Sequence, residues 1–186
     1  MAHPKAIYLI VSGASAAKRI PNLLPQLIEF NLSIYTILTR NAHNILSAAQ
    51  LADIPGHTLV ESYFDPSLIQ DREPGLVLVA PATFNTVNKI SQGIADTLAH
   101  SLVAEAIGSG WPVIIAPSMN PALASHPQTV QSFKTLRDWG ITVLDFQYGQ
   151  TSHTMASVED IIEAVKTKRN EKLIEIKKLN REENSN

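Results

Sequence analysis

Cysteine is absent from all 186 residues. Its absence excludes a disulfide framework, a thiolate zinc site and a cysteine nucleophile, and it fits a reducing compartment. No stretch reaches the roughly 18 uninterrupted apolar residues of a membrane span. The first apolar run, Ala6 to Ser12, also stops too early for a secretory signal. The expectation is a soluble, cytoplasmic protein with no membrane contact. Charge is sparse: charged residues make up 17%, with Lys plus Arg at 15, Asp plus Glu at 17 and a formal net charge of −2. No basic excess exists to form a broad nucleic-acid surface, so no nucleic-acid partner is expected. No histidines or carboxylates stand at metal-ligand spacing, so no metal site is expected. Internal repeats and low-complexity linkers are missing too. At about 100–200 residues per domain, the chain reads as one domain over residues 1–168, with 169–186 as a charged helix end and tail.

What is present alternates. Ala6-Ile7-Tyr8-Leu9-Ile10-Val11 is wholly apolar, as expected of a strand buried on both faces. Ser12-Gly13-Ala14-Ser15 breaks the run. Residues 16–30 then carry Ile20, Leu23, Leu24, Leu27 and Ile28 at helical spacing, with Pro21 and Pro25 placed to delay or kink that helix. Strand patterns recur at 33–38, 76–80, 112–116 and 141–144. Helical patterns fill 42–51, 85–107 with a break near Gly93, 127–139, and the stretch from Val158 onward. Residues 58–62 fit a short strand inside an otherwise loop-like 53–74. The alternation predicts an α/β fold: a single doubly wound parallel sheet of the Rossmann or flavodoxin-like kind.

In such sheets the ligand lies beyond the carboxyl ends of the strands. Four segments fall there: Ser12-Gly13-Ala14-Ser15-Ala16-Ala17, Thr39-Arg40-Asn41, Pro81-Ala82-Thr83-Phe84-Asn85-Thr86 and Pro117-Ser118-Met119-Asn120-Pro121. Each has a plain structural reading beside the functional one. Small residues permit a tight turn, and Thr39, Asn41, Thr83 or Asn85 can simply cap the next helix. The three spaced glycines of the dinucleotide pattern are missing. Together, however, the four strand ends bring hydroxyls and amides to one edge, which suits an aromatic cofactor with a phosphate tail.

Ala80-Pro81-Ala82-Thr83-Phe84-Asn85-Thr86, followed by Lys89-Ile90, Gly93-Ile94-Ala95-Asp96 and Ala116-Pro117-Ser118-Met119-Asn120, carries a resemblance. The chain is similar to the flavoprotein family of homo-oligomeric, flavin-containing cysteine decarboxylases. That family includes phosphopantothenoylcysteine decarboxylase and the lantibiotic peptide decarboxylases. Val11-Ser12-Gly13 with Ala16-Ala17, and Thr39 with Ala42, match the first two loops, so the likeness spans residues 5–156. It implies FMN as cofactor, held by Gly13, Ala14, Ser15, Thr39, Thr83, Phe84, Asn85, Thr86 and Ser118. In that reading the backbone of Gly13 to Ser15 and the Thr39 hydroxyl hold the phosphate, and the third motif faces the ring. Phe84, where the family has Ala, packs on the ring or fills the space. Asn120 would bind a substrate carboxylate or amide.

The departures bear on mechanism. The family's histidine base falls at Ser67, in Asp65-Pro66-Ser67-Leu68, and no histidine stands between His57 and His100. A serine does not replace imidazole as a base near pH 7 unaided. The proton-donating cysteine of the coenzyme A pathway enzyme is missing, and Leu123 and Ala124 stand where Met and Trp are usual. His126 and His153 are candidate replacements, each with a plain reading as a water-exposed loop histidine; His43 and His57 read as surface residues, and His100 as facing solvent or a subunit contact.

The leading expectation is an FMN-dependent lyase of the decarboxylase kind, acting on a small carboxylate or peptide end. The standard phosphopantothenoylcysteine decarboxylase is not expected. A second reading is a flavin-binding regulatory or interaction protein that has lost catalysis. A flavin prenyltransferase-type enzyme ranks third, since the third motif is not theirs. The resemblance also implies a homo-oligomer, a trimer or dodecamer with flavin at a subunit contact. Light scattering at micromolar protein should therefore return a trimer or larger, and a monomer would count against that assembly.

Overall fold

In the computed structural model the described residues are 3–69, 73–148 and 153–183. The apolar runs form the strands of one parallel sheet: β1 (Ala6–Val11), β2 (Ser33–Leu38), β3 (Thr58–Leu59), β4 (Gly75–Ala82), β5 (Val113–Pro117) and β6 (Thr142–Val143). Their order is β3-β2-β1-β4-β5-β6. The chain steps outward from β1 to β3, then returns to place β4 beside β1 before stepping out the other way. That reversal opens a crevice beyond the carboxyl ends of β1 and β4. The sheet is thus doubly wound with Rossmann order, as the sequence predicts.

Alternate residues of each central strand feed two cores. Ile7, Leu9 and Val11 of β1, with Leu76, Leu78, Ile114 and Ala116, face α1 (Ile20–Ile28) and the start of α8 (Val158–Glu183). Ala6, Tyr8 and Ile10, with Val77, Val79, Val113 and Ile115, face the other helical layer. That layer contains α4 (Phe84–Ser91), α5 (Leu98–Gly108) and α7 (Pro127–Asp138). Burial on both faces explains why β1, β4 and β5 read as unbroken apolar runs. A register shift between Val79 and Ala82 lets Ala82 join the second core, out of step with Ala80.

Several segments differ from the pattern-based expectation. A 3-10 turn at Ser15–Arg19 precedes α1, so Pro21 sits in its first turn and only Pro25 lies inside. The expected helix over 42–51 is split. A 3-10 turn at Ala42–Asn44 is followed by α2 (Ala48–Ala52), because Ser47 and Gln50 form a capping box that restarts the helix. The expected helix over 85–107 is broken as predicted, between α4 and α5. Three short elements were not anticipated beyond the loops that carry them: α3 (Pro66–Ile69), α6 (Pro121–Ala124), and a hairpin of β7 (Gln147–Tyr148) with β8 (His153–Thr154). α8 runs unbroken from Val158 to Glu183, so residue 168 lies inside a helix. Among its described side chains, the last tightly buried apolar one is Val165.

Gly75, at the start of β4, is required by a close approach. A Cβ there would stand 2.5 Å from the Tyr8 ring and 2.9 Å from the Ala6 carbonyl oxygen. The Tyr8 ring is itself held, stacked between Tyr35 and Trp111 at 5.1 and 5.6 Å, with its hydroxyl donating to the Glu73 carbonyl at 2.8 Å. Gly75→Ala should therefore destabilise the fold by about 1–3 kcal/mol, lowering Tm by several degrees. An unchanged thermal melt would mean that Tyr8 can move aside freely.

Candidate functional site

Ser12 ties the two central strand ends together. It is 2% exposed, and its Oγ donates to the Pro81 carbonyl at 2.7 Å while accepting the Thr83 N–H at 2.9 Å. The Ser12 N–H also donates to the Pro81 carbonyl, at 3.1 Å. Just beyond, Gly13 passes the loop after β2 so closely that a Cβ would lie 2.6 Å from Asn41 Cβ. A hydroxyl ending an otherwise apolar strand is the sequence signal for Ser12, although it carries no ligand-binding signature of its own.

These contacts shape two adjoining chambers. The larger, about 630 Å³, is lined by Gly13, Ala14, Ser15, Asn41, Thr83, Phe84, Asn85, Ser118, Met119, Asn120, Leu123 and Thr154. The smaller, about 390 Å³, shares Gly13, Asn41, Thr83 and Asn85 and adds Thr39, Arg40, Glu61, Thr86, Lys89, Thr97 and His100 among its walls. Both fall in the volume range of small-molecule sites. The first is lined by amides, hydroxyls and apolar groups without an ionisable side chain among the described residues; the second carries charge.

Local helix chemistry fixes the polar groups. Thr83 is the N-cap of α4 and accepts the Thr86 N–H, while its hydroxyl also meets that of Thr86 at 3.0 Å. Asn120 caps α6, its Oδ1 accepting the Leu123 N–H at 2.9 Å. That bond orients the amide and leaves both Nδ2 hydrogens available to a ligand. At the far wall of the smaller chamber Lys89 donates to Asp96 at 2.6 Å, and this hydrogen bond holds the Asp96 carboxyl below its ordinary pKa. His100 Nδ1 meets Thr97 Oγ1 at 2.7 Å and lies 3.4 Å from Asp96, while its buried Nε2 has no partner among the described residues. Burial first, and the Lys89 charge second, lower the His100 pKa against the opposing pull of Asp96.

The structure brings all nine sequence-predicted cofactor residues into this crevice: Ala14, Ser15, Phe84 and Ser118 in the larger chamber, Thr39 and Thr86 in the smaller, and Gly13, Thr83 and Asn85 in the wall they share. The catalytic candidates divide. Asn120 lines the larger chamber. His126 lines neither; it is exposed, caps α7 by accepting the Gln128 N–H at 3.0 Å, and meets the edge of Phe84 at 5.4 Å between ring centroids. His153 contributes backbone to β8, beside Thr154 in the chamber wall; its side chain lies outside the described residues. Ser67 sits in α3, its side chain likewise outside them. His100 corrects the expectation of a solvent-facing residue: it is 7% exposed because α5 turns it inward against α4. His57 is half-buried, its Nε2 bonded to the Leu51 carbonyl oxygen. Arg40, Lys89 and His100 converge from three separate elements, a meeting that spacing along the chain does not reveal. Among the described residues no group of three or more His, Cys, Asp or Glu is placed to hold a metal, and no helix is long and apolar enough to cross a membrane.

Comparison with known proteins agrees with this geometry. A model of the Flavoprotein family matches residues 1–170, and the chain belongs to that family. The coenzyme A biosynthesis bifunctional protein CoaBC of Thermococcus kodakarensis is 27% identical over 181 residues, covering 94% of this chain and 45% of its own length. This chain therefore spans less than half of that relative. Among solved structures, a PPC decarboxylase mutant complexed with pantothenoylaminoethenethiol superposes with a TM-score of 0.76 at 23% identity, covering 88% of this chain and 97% of that one. The FMN-dependent cysteine decarboxylase SpaF does so with a TM-score of 0.69 at 22% identity, covering 86% and 97%. At these identities the superpositions establish the shared fold.

His100 makes stability depend on pH. Its native pKa lies below the unfolded value, so between the two the unfolded chain binds the proton and the native chain does not. The contribution is therefore complete above the ordinary histidine value of about 6.5 and is lost as pH falls below it. Urea midpoints should drop between about pH 7.5 and 5.5, and the drop should shrink in His100→Gln. The same drop in both proteins would remove His100 as its source.

Proposed function

We propose that this chain binds FMN and, with the flavin in place, acts as a lyase of the decarboxylase kind on a small carboxylate or a peptide end. The observation that carries the reading is the paired crevice itself. A neutral chamber of about 630 Å³ with amide and hydroxyl walls suits a heteroaromatic ring, and a charge-bearing chamber beside it suits a phosphate. Bound flavin would supply a two-electron acceptor.

The remaining roles fall to the chain. Asn120, oriented by its own helix cap, offers two amide hydrogens to a substrate carboxylate at the wall of the larger chamber. Phe84, half-buried and backed by His126, closes that chamber on the side of α4. Asn85 is exposed between the chambers and its side chain makes no hydrogen bond with a described residue, which leaves its amide for the cofactor. No described histidine side chain lines the larger chamber. That observation favours, as a second reading, a flavin-binding interaction protein without turnover. The coenzyme A biosynthesis in the names of the curated relatives, with a PPC decarboxylase among the structural neighbours, keeps phosphopantothenoylcysteine among the substrates to be tried, despite Ser67 and the missing cysteine.

An absorbance spectrum of the purified protein, with the released chromophore identified after denaturation, should show FMN. A colourless protein that takes up no added FMN would end the reading. Asn85→Ala should reduce flavin retention, whereas Asn120→Ala should retain flavin and abolish release of CO2 from thiol-bearing carboxylates. Equal flavin loss in both variants would remove the division of roles. Flavin binding without turnover of any such carboxylate, in the unmodified chain, would favour the second reading.

A further inference from the structure

We propose that His126 is a positioning residue whose protonation state sets how firmly the wall of the larger chamber is held. In its neutral form it fastens the first turn of α7 and, through that turn, Phe84 and Leu123; protonated, it releases them. The inference goes beyond the flavin reading above and rests on it only for the identity of the chamber's occupant. Phe84 and Leu123 both line that chamber, and neither is held from its own element alone. The Phe84 ring meets the His126 ring edge-on, at 5.4 Å between centroids and 80° between planes. The Leu123 carbonyl accepts two hydrogen bonds from the start of α7: the His126 N–H at 3.3 Å, and the hydroxyl of the buried Thr129 at 2.7 Å.

The cap that fixes this turn is one that only a neutral imidazole can make. His126 Nδ1 accepts the Gln128 N–H at 3.0 Å, and a proton on Nδ1 turns that acceptor into a donor facing a donor. It also sets a positive charge at the N-terminus of a 12-residue helix, where the backbone dipole opposes it. Both effects act against the cap, so the protonated ring leaves it and withdraws from Phe84. The charged groups on the elements around His126 are placed elsewhere. α6 has none. The one on α4 is Lys89, engaged with Asp96 at 2.6 Å. Those of α7 are Lys134, Arg137 and Asp138, all in its second half, with Lys134 bonded to Asp138 and Arg137 lying 3.9 Å from Asp145. His126 is exposed and makes no ion pair with a described residue, so protons reach it from solvent.

Nuclear magnetic resonance of the full chain without flavin, titrated from about pH 8 to 5.5 across the range in which histidine charges, tests this directly. The Gln128 amide, the Phe84 ring and the Leu123 methyls should shift together with the His126 ring. In His126→Asn, whose side chain keeps a cap acceptor that does not titrate, those three signals should hold still. Riboflavin, which has no phosphate to titrate, reads the chamber by fluorescence. Its affinity for the unmodified chain should fall about fivefold over the same range, the scale of one lost helix cap. His126→Asn should bind at the low pH as tightly as the unmodified chain does at the high one. His126→Ala should bind at the high pH as weakly as the unmodified chain does at the low one, with melting temperatures confirming that both variants are folded. His100 is the same in all three chains, so its own titration does not distinguish them. Phe84 and Leu123 signals that ignore the His126 titration, or that titrate equally in His126→Asn, overturn the inference whether or not flavin binds. So does a riboflavin affinity that keeps its full pH dependence in His126→Asn. If the unmodified chain binds neither riboflavin nor FMN, the flavin reading falls and the resonance titration alone decides this one.

Discussion

Everything at the site depends on β1 and β4 lying side by side with their carboxyl ends tied. The Ser12 hydroxyl makes the tie, donating to the Pro81 carbonyl and accepting the Thr83 N–H. Without it the Thr83 N–H would lose its acceptor and the Pro81 carbonyl would keep only the Ser12 N–H. Satisfying them with one side chain fixes the height of the first loop against the third. The Thr83 cap then sets where α4 begins, and α4 sets where Phe84, Asn85, Thr86 and Lys89 project. The separation of the two chambers follows from that start point and from Gly13 passing Asn41 without room for a Cβ.

The helical layer over the site is held partly by polar contacts. Ser91 donates to Ser132 at 2.8 Å, and Ser132 donates to Asn88 Oδ1 at 2.8 Å, joining α4 to α7 through largely buried hydroxyls. Such bonds have directional requirements that apolar packing lacks, so they fix the rotation of α4 as well as its depth. His126 couples the same pair of helices differently, capping α7 while its ring meets Phe84. Its Nδ1 is occupied as an acceptor in that cap, which gives the residue a structural task at the position where a catalytic one was expected.

The central strands were legible because burial on both faces leaves a continuous apolar run, and β1, β4 and β5 lie within a residue or two of the expected bounds. The edge strands were marked only loosely: β3 and β6 fall inside the expected stretches 58–62 and 141–144 but are two residues each, and the partly exposed β7–β8 hairpin was not marked at all. The split at Ser47 was written in the sequence as a serine followed three residues later by a glutamine, a signal that apolar spacing over 42–51 obscured. At the site, the strand-end rule located the loops, and the family motifs located their polar residues. Which chamber each residue lines was not legible. It depends on the depth of the Ser12 tie and on residues from α4, α5 and the loop after β2 meeting in space.

The missing histidine acquires a specific physical meaning from this arrangement. A base must reach its proton within hydrogen-bond distance, directly or through one water. His100 is the buried imidazole nearest in kind. It borders the smaller chamber, its Nδ1 meets Thr97, and its Nε2 is covered. Asn120 stands across the larger chamber, whose described walls carry no acid, base or cation. A substrate carboxylate held by Asn120 would therefore meet amides, hydroxyls and apolar groups from this chain alone. Among the described side chains of that chamber none can take a proton, and His153, next to Thr154 in the wall, has a side chain outside them.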